Sequence, residues 1–236
     1  MATRFELVLA DDALDGGDVT AVAESVLEGV DEWHRRLNRF APDSWVSHVN
    51  RTAALTAVRC DADLWQLLQH AEAVWVASGG AFDVTRGDGD ALRLDPGART
   101  VMFARPGVQL DFGGLAKGFA IDCAMRMLVD YGVRSAFLHG GTSSGAALGG
   151  DPEGRPWRIA LGADGVPVEV RGAFSISDAG SQPDPHIESG RGRAVLRGRA
   201  LVTGPSAGVA DAWSTAIVVM GTVPDSLPAG YEARMY

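Results

Sequence analysis

Cysteine is scarce in this chain of 236 residues, with Cys60 and Cys123 the only two. Their spacing fits neither a metal site nor a disulfide framework, so two buried free thiols are expected. The five histidines include no pair at metal-ligand spacing, which argues against a zinc centre. No apolar run approaches the ~18 residues needed to cross a bilayer. The opening Met-Ala-Thr-Arg-Phe-Glu-Leu-Val-Leu-Ala lacks the long apolar stretch of a signal peptide, so the chain as written reads as cytoplasmic. Positive charge is short as well. The formal net charge of −9 argues against a nucleic-acid partner, whose phosphates demand clustered Lys and Arg. The local run of Arg191, Arg193, Arg197 and Arg199 reads as a solvated edge. Internal repeats, low-complexity tracts and domain-separating linkers are missing too.

What is present suits one globular domain over residues 1–236, with room for two lobes. Hydrophobic residues make up 46% and charged residues 22%, enough for a sizeable core. Residues 5–10 read as a strand. Residues 19–37 read as a helix whose stripe is Val22, Val26, Val30, Trp33 and Leu37. Residues 40–50, with Pro42-Asp43-Ser44, read as a polar loop. Asp61 caps a second expected helix with Leu64, Leu67, Leu68, Ala71, Val74 and Trp75 on one face, stopped by Gly79-Gly80. Residues 86–99 read as loop. Residues 100–103 and 108–112 read as strands, and a helix carrying Ala120, Ala124, Met127, Leu128 and Tyr131 ends at Gly132. Further strands are expected at 135–139, 157–161, 166–170, 173–176 and 194–202, with a last helix over 209–220. Two early helices followed by clustered strands favour an α+β fold over repeated βαβ units.

The most informative stretch is Asp111-Phe-Gly-Gly-Leu-Ala-Lys-Gly-Phe-Ala-Ile-Asp122. It reads as a strand end, a glycine turn and a helix start. Such a turn leaves backbone N–H groups free at a helix N-terminus, which attracts phosphate, and Lys117 adds a positive charge. Asp111 adds an acceptor for a hydroxyl, a ring N–H or a cation. The spacing matches neither the P-loop nor G-x-G-x-x-G. An ordinary tight turn with an exposed lysine is the plain alternative. In Asp211-Ala-Trp-Ser-Thr215, Asp211 and Thr215 share a helix face. They make half a site for a hard cation such as Mg²⁺, or else a helix N-cap at Asp211 with Thr215 bonded back to the backbone. Gly80-Ala-Phe-Asp-Val-Thr85 offers Asp83 and Thr85 after a helix end, with a plain Asx turn as the alternative. His186-Ile187 lies in a loop where a histidine can move protons or simply be solvated. Ser143-Ser144-Gly145 lacks a nucleophile-elbow pattern.

Taken in order, these pieces resemble the ApbE-type FAD:protein FMN transferase family. Leu37-Asn-Arg-Phe-Ala-Pro-Asp-Ser44, then Val46-Ser47 and Asn50, is similar to its "LSrFrpdSelsrlN" segment, and Gly80 to Thr85 to its "G-x-F-D-x-T". Asp111 to Asp122 is similar to its "D-x-G-G-x-A-K-G-x-x-x-D". Gly140-Gly141, Pro156-Trp157-Arg158-Ile159 and Asp211 to Thr215 follow in the family's order. The resemblance implies an α+β, T-fold-like architecture of mixed or antiparallel sheets with packed helices. It implies Mg²⁺-dependent transfer of FMN from FAD to a Thr or Ser hydroxyl of a target flavoprotein, with AMP released. On that basis Asp211, Thr215 and the main chain at Gly114 are the expected metal ligands. Phe40, Ala81, Phe82, Asp83, Asp111, Lys117, His186 and Ile187 are the expected flavin-nucleotide contacts. His186 and Asp211 are the expected catalytic residues. The chain departs from the pattern after His186-Ile187, where it reads Glu188-Ser189-Gly190-Arg191, and its segment after Thr85 is shorter than usual. Two alternatives stand beside transfer: a flavin-nucleotide binding protein with little catalysis, and an FAD hydrolase giving FMN and AMP.

Overall fold

The computed structural model describes residues 3–10, 18–160, 167–180 and 198–236. The expected strand β1 (Phe5–Leu9) is followed by helix α1 (Val19–Leu37). Asp18 caps α1 by accepting from the Thr20 and Ala21 N–H groups, which a helix start leaves unpaired. Val26, Val30, Trp33 and Leu37 point into the core, as the stripe requires, while Val22 is only partly buried. The expected polar loop after it is corrected: α2 (Trp45–Thr52) occupies most of residues 40–50. Ser44 caps α2 through the Ser47 N–H, and burial of Val46 and Val49 anchors it. Strand β2 (Val58–Arg59) leads to α3 (Ala62–Ala77), capped by Asp61 through the Leu64 N–H.

Residues 86–99 are not all loop. A single 3₁₀ turn at Gly89–Ala91 runs into β3 (Leu92–Asp95), which pairs with β4 (Thr100–Phe103); β4 in turn pairs with β2. The strand expected over 108–112 is also corrected. This stretch joins no sheet among the described residues. The Asn50 side chain takes the place of a strand partner, accepting from the Leu110 N–H at 2.7 Å and donating to the Leu110 carbonyl at 3.1 Å.

The next elements are α4 (Ala116–Asp130), β5 (Ala136–Gly140), β6 (Ser144–Leu148), β7 (Trp157–Ala160), β8 (Pro167–Val170), β9 (Ala173–Asp178), β10 (Arg199–Gly204), α5 (Ala207–Met220) and β11 (Glu232–Met235). One sheet runs in the order β1-β5-β6-β9-β10-β11, and every pairing among the described residues is antiparallel. Side chains alternate across it. Ala136 and Leu138 join the main core beneath the helices, whereas Phe137, Phe174 and Leu201 point the other way. The β7–β8 hairpin covers that second face, with Trp157 stacked on Phe137 at 5.6 Å between ring centroids.

Helices α4 and α5 cross at Gly118. A Cβ at that position would lie 2.1 Å from the Ala207 carbonyl oxygen, so only glycine permits this approach. Asp122, one turn on, holds the junction. Its carboxylate accepts from the Ser206 hydroxyl at 2.6 Å, the Ala207 N–H at 2.7 Å and the Gly208 N–H at 2.9 Å. Two of the unpaired donors at the start of α5 are thus satisfied from another helix. Burial pushes the Asp122 carboxyl up, and these donors partly oppose the shift.

Candidate functional site

The site grows out of the turn between Asp111 and α4. The Asp111 N–H donates to the Val84 carbonyl at 2.7 Å, fastening this turn to the Gly80–Thr85 loop. One carboxylate oxygen of Asp111 accepts from the Gly113 N–H at 3.0 Å; the other faces Arg39 at 3.2 Å and Arg86 at 4.0 Å. Gly114 then passes directly under α5. A Cβ there would stand 3.0 Å from the Thr215 Oγ1 and 3.3 Å from the Phe82 ring. Three segments far apart in the chain therefore converge at Gly114.

In the first turn of α4, Lys117 meets Asp211. Its Nζ lies 3.2 Å from Asp211 Oδ1 and 3.4 Å from Oδ2. The Asp211 side chain is 2% exposed and that of Lys117 21%, so the pair sits in a weakly screened environment where charge is expensive unless matched. The Gly118 N–H adds a bond to Oδ2 at 3.3 Å, and the Ser175 hydroxyl adds one to Oδ1 at 2.9 Å. Lys117 is the single lysine of the chain.

Hydroxyls surround this pair. Ser144, Ser175 and Ser214 are fully buried. The Ser177 Oγ lies 2.8 Å from the Ser214 Oγ and 3.2 Å from the Thr215 Oγ1, and Thr215 donates back to the Asp211 carbonyl at 3.1 Å. The donor set of carboxylate, hydroxyls and glycine backbone is all hard oxygen, the chemistry that suits Mg²⁺. Among the described residues no three His, Cys, Asp or Glu side chains cluster as a metal site would need. A cation here would rely on the single Asp211 carboxylate, hydroxyl and main-chain oxygens.

A family model described as the ApbE family matches residues 1–92 and 88–181. The chain belongs to the ApbE family. An FAD:protein FMN transferase of Rhodobacter capsulatus is 29% identical, over 80% of this chain and 45% of its own length. One from Chlamydia pneumoniae is 26% identical, over 56% of this chain and 51% of its own. The chain thus spans about half the length of the curated relatives it matches. The solved flavin transferase ApbE of Vibrio cholerae superposes with a TM-score of 0.80 at 17% identity, covering 100% of this chain and 94% of that one. The α+β architecture expected from the sequence is therefore the fold of ApbE structures.

Of the expected site residues, the structure brings Phe82, Gly114, Lys117, Asp211 and Thr215 together. Asp211 does not cap α5, as one reading of its motif had it; Ser206 does, accepting from the Val209 N–H, and Asp211 lies a turn further in. The back-bond of Thr215 in that same reading is present. Asp83 is committed to its own loop. Its carboxylate accepts from the Thr85, Gly87 and Gly89 N–H groups at 2.8, 3.1 and 3.2 Å, as in the Asx-turn reading. Ala81 is buried beside it. Phe40 is 81% exposed, its ring covered by the Arg39 guanidinium at 4.5 Å. His186 and Ile187 lie outside the described residues.

Sequence reading missed Ser144, Ser175 and Ser177. One signal was legible for two of them. In Ala-Phe-Ser-Ile-Ser-Asp of β9, Ser175 and Ser177 repeat with period two against Phe174 and Ile176, which marks one polar face of a buried strand. Asn50 belongs to the family-like segment that begins at Leu37, but its partner, the backbone sixty residues on, could not be read from that segment.

Proposed function

We propose that this chain transfers FMN from FAD to the hydroxyl of a Thr or Ser in a target flavoprotein, releasing AMP. The observation that carries the reading is the junction of the glycine turn with α5: Gly114 lies against Thr215, and Lys117 against Asp211. A diphosphate is an anion, and this junction offers a lysine, a buried carboxylate and a glycine-lined surface on which a phosphate can approach the backbone closely. The names of the Rhodobacter and Chlamydia relatives point the same way.

In this reading Asp211, the Thr215 hydroxyl and the Gly114 main-chain carbonyl hold Mg²⁺. When bound, that ion offsets the charge of the diphosphate and of the departing AMP. Lys117 attracts the same diphosphate. Phe40, Ala81, Phe82, Asp83 and Asp111 line the path of the flavin nucleotide, and Phe82 supplies the apolar surface nearest the glycine turn. The acceptor oxygen forms a bond to the phosphorus of the FMN moiety as the bond from that phosphorus to the bridging oxygen breaks. The bridging oxygen leaves with AMP. His186, beside Ile187, takes the proton of the acceptor hydroxyl, the role its place in the motif implies.

Incubation of the protein with FAD and Mg²⁺, with and without a flavoprotein target, tests the reading. Covalent flavin fluorescence on the target supports transfer. Free FMN in the absence of target identifies a hydrolase, and intact bound FAD identifies a binding protein. Asp211→Ala is expected to abolish conversion of FAD. Wild-type conversion that survives EDTA would remove the metal from the scheme.

A further inference from the structure

Behind the proposed cation site lies a closed ring of hydrogen bonds. Lys117 Nζ donates to the Ser144 Oγ at 3.5 Å, the Ser144 and Ser175 hydroxyls are 3.0 Å apart, Ser175 donates to Asp211 Oδ1 at 2.9 Å, and Lys117 Nζ lies 3.2 Å from that same oxygen. Its four members come from α4, β6, β9 and α5. Counting protons fixes the direction of the ring. The Ser175 hydroxyl has one hydrogen to donate, and three of the acceptors within its reach are Asp211 Oδ1 at 2.9 Å, the Ser144 Oγ at 3.0 Å and the Ser143 carbonyl at 3.2 Å. The nearest of these is also the charged one, and charge-assisted bonds are the stronger. Ser144 then donates to Ser175 and accepts from Lys117, so the bonds run from the ammonium to the carboxylate through two buried hydroxyls.

The consequence lies in what holds Asp211 when Lys117 is not its partner. Each carboxylate oxygen keeps one donor that does not belong to the lysine, Ser175 on Oδ1 and the Gly118 N–H on Oδ2. These two fix the rotation of the carboxylate about its Cβ–Cγ bond. We infer that Ser175, backed by Ser144, is a positioning residue that keeps Asp211 aimed while its ammonium partner is exchanged for a divalent cation. The inference rests on the reading of Asp211 as a cation ligand. Donors behind a metal-ligating group commonly change metal affinity by about 10–100-fold when removed.

Titration of MgCl₂ into the protein without FAD, followed by calorimetry, reads the effect apart from turnover. The rise in melting temperature at saturating Mg²⁺ serves as a second readout. Ser175→Ala is expected to weaken Mg²⁺ at least tenfold and to shrink that rise. Ser175→Cys fills nearly the same space with a poor donor, so it is expected to behave like the alanine variant; this separates the lost bond from an empty space and stands in if the alanine variant folds badly. Ser144→Ala, one bond further back, is expected to cost less. Wild-type Mg²⁺ affinity in Ser175→Ala or Ser175→Cys would overturn the positioning role and leave the cation site intact. A wild-type protein that takes up no Mg²⁺, or an Asp211→Ala variant that binds it normally, would overturn the cation reading and this inference with it.

Discussion

Gly118→Ala tests the close approach of α4 to the start of α5. The added methyl would stand 2.1 Å from the Ala207 carbonyl oxygen, 2.4 Å from its carbon and 2.6 Å from the Gly208 nitrogen. All three atoms are backbone, so no rotamer can relieve the overlap. One helix must retreat by about 1 Å, and overpacking of this kind costs ~1–3 kcal/mol. The upper half of that range applies because α4 and α5 are both anchored by Asp122. Replacing a helical glycine with alanine returns up to ~1 kcal/mol of backbone preference, leaving a net loss of about 2 kcal/mol. For a chain of this size that lowers the melting temperature by roughly 4–8 °C. Gly29→Ala is the matched control. It brings the same helical gain, but its methyl meets only the tip of Met127, with Sδ at 2.9 Å and Cε at 3.3 Å, a flexible side chain that can move aside. Thermal and urea unfolding of the three proteins should place Gly118→Ala below wild type and Gly29→Ala at or above it. A Gly118→Ala variant as stable as Gly29→Ala would refute the proposed helix contact.

Two further outcomes follow from the site and its surroundings. Because Lys117 is the single lysine, an amine-acylating reagent with mass-spectrometric readout reports one side chain apart from the amino terminus; modification of Lys117 should speed up when saturating Mg²⁺ displaces it from Asp211 and slow again when FAD is added, and a rate indifferent to Mg²⁺ would contradict the exchange. Burial holds the His70 imidazole below its usual range, against the pull of Asp122, and its Nδ1 is buried without a hydrogen-bond partner among the described residues. The unfolded chain therefore takes up a proton at His70 before the folded one does, and stability should fall as pH drops through the ordinary histidine range toward the lower folded value. His70→Phe should make that decline shallower in urea titrations, with His34, shifted the same way, supplying part of the remainder; an unchanged slope would exclude His70 as its source.

The legible parts of the chain were those whose signal is local. Asp61 marks a helix start that needed no knowledge of the fold, and the core stripes of α1 and α3 follow from spacing alone. The Asp111–Asp122 motif announced a turn, a helix and a charge in one stretch. Elements that depend on their neighbours were hidden. Strand β6, Ser-Gly-Ala-Ala-Leu, has little intrinsic β preference and exists because β5 and β9 pair with it on both sides. Residues 108–112 carry strand-like side chains, but the partner of Leu110 is an amide side chain and not a neighbouring strand, so the strand reading failed there. The same limit held at the site. Spacing put Asp211 and Thr215 on one helix face, but only the packing of β6 and β9 against α5 reveals which hydroxyls stand behind them.

The carboxylate of Asp122 has a bearing on the order of events during folding. Helix α5, which carries both Asp211 and Thr215, finds partners for its opening amides on a segment made about eighty-five residues earlier. Those amides gain their carboxylate partner only where α4 has formed and docked, so the meeting of Lys117 with Asp211 depends on a contact that spans a long loop. A nascent or partly unfolded chain would hold the lysine and the aspartate apart until the two helices lock.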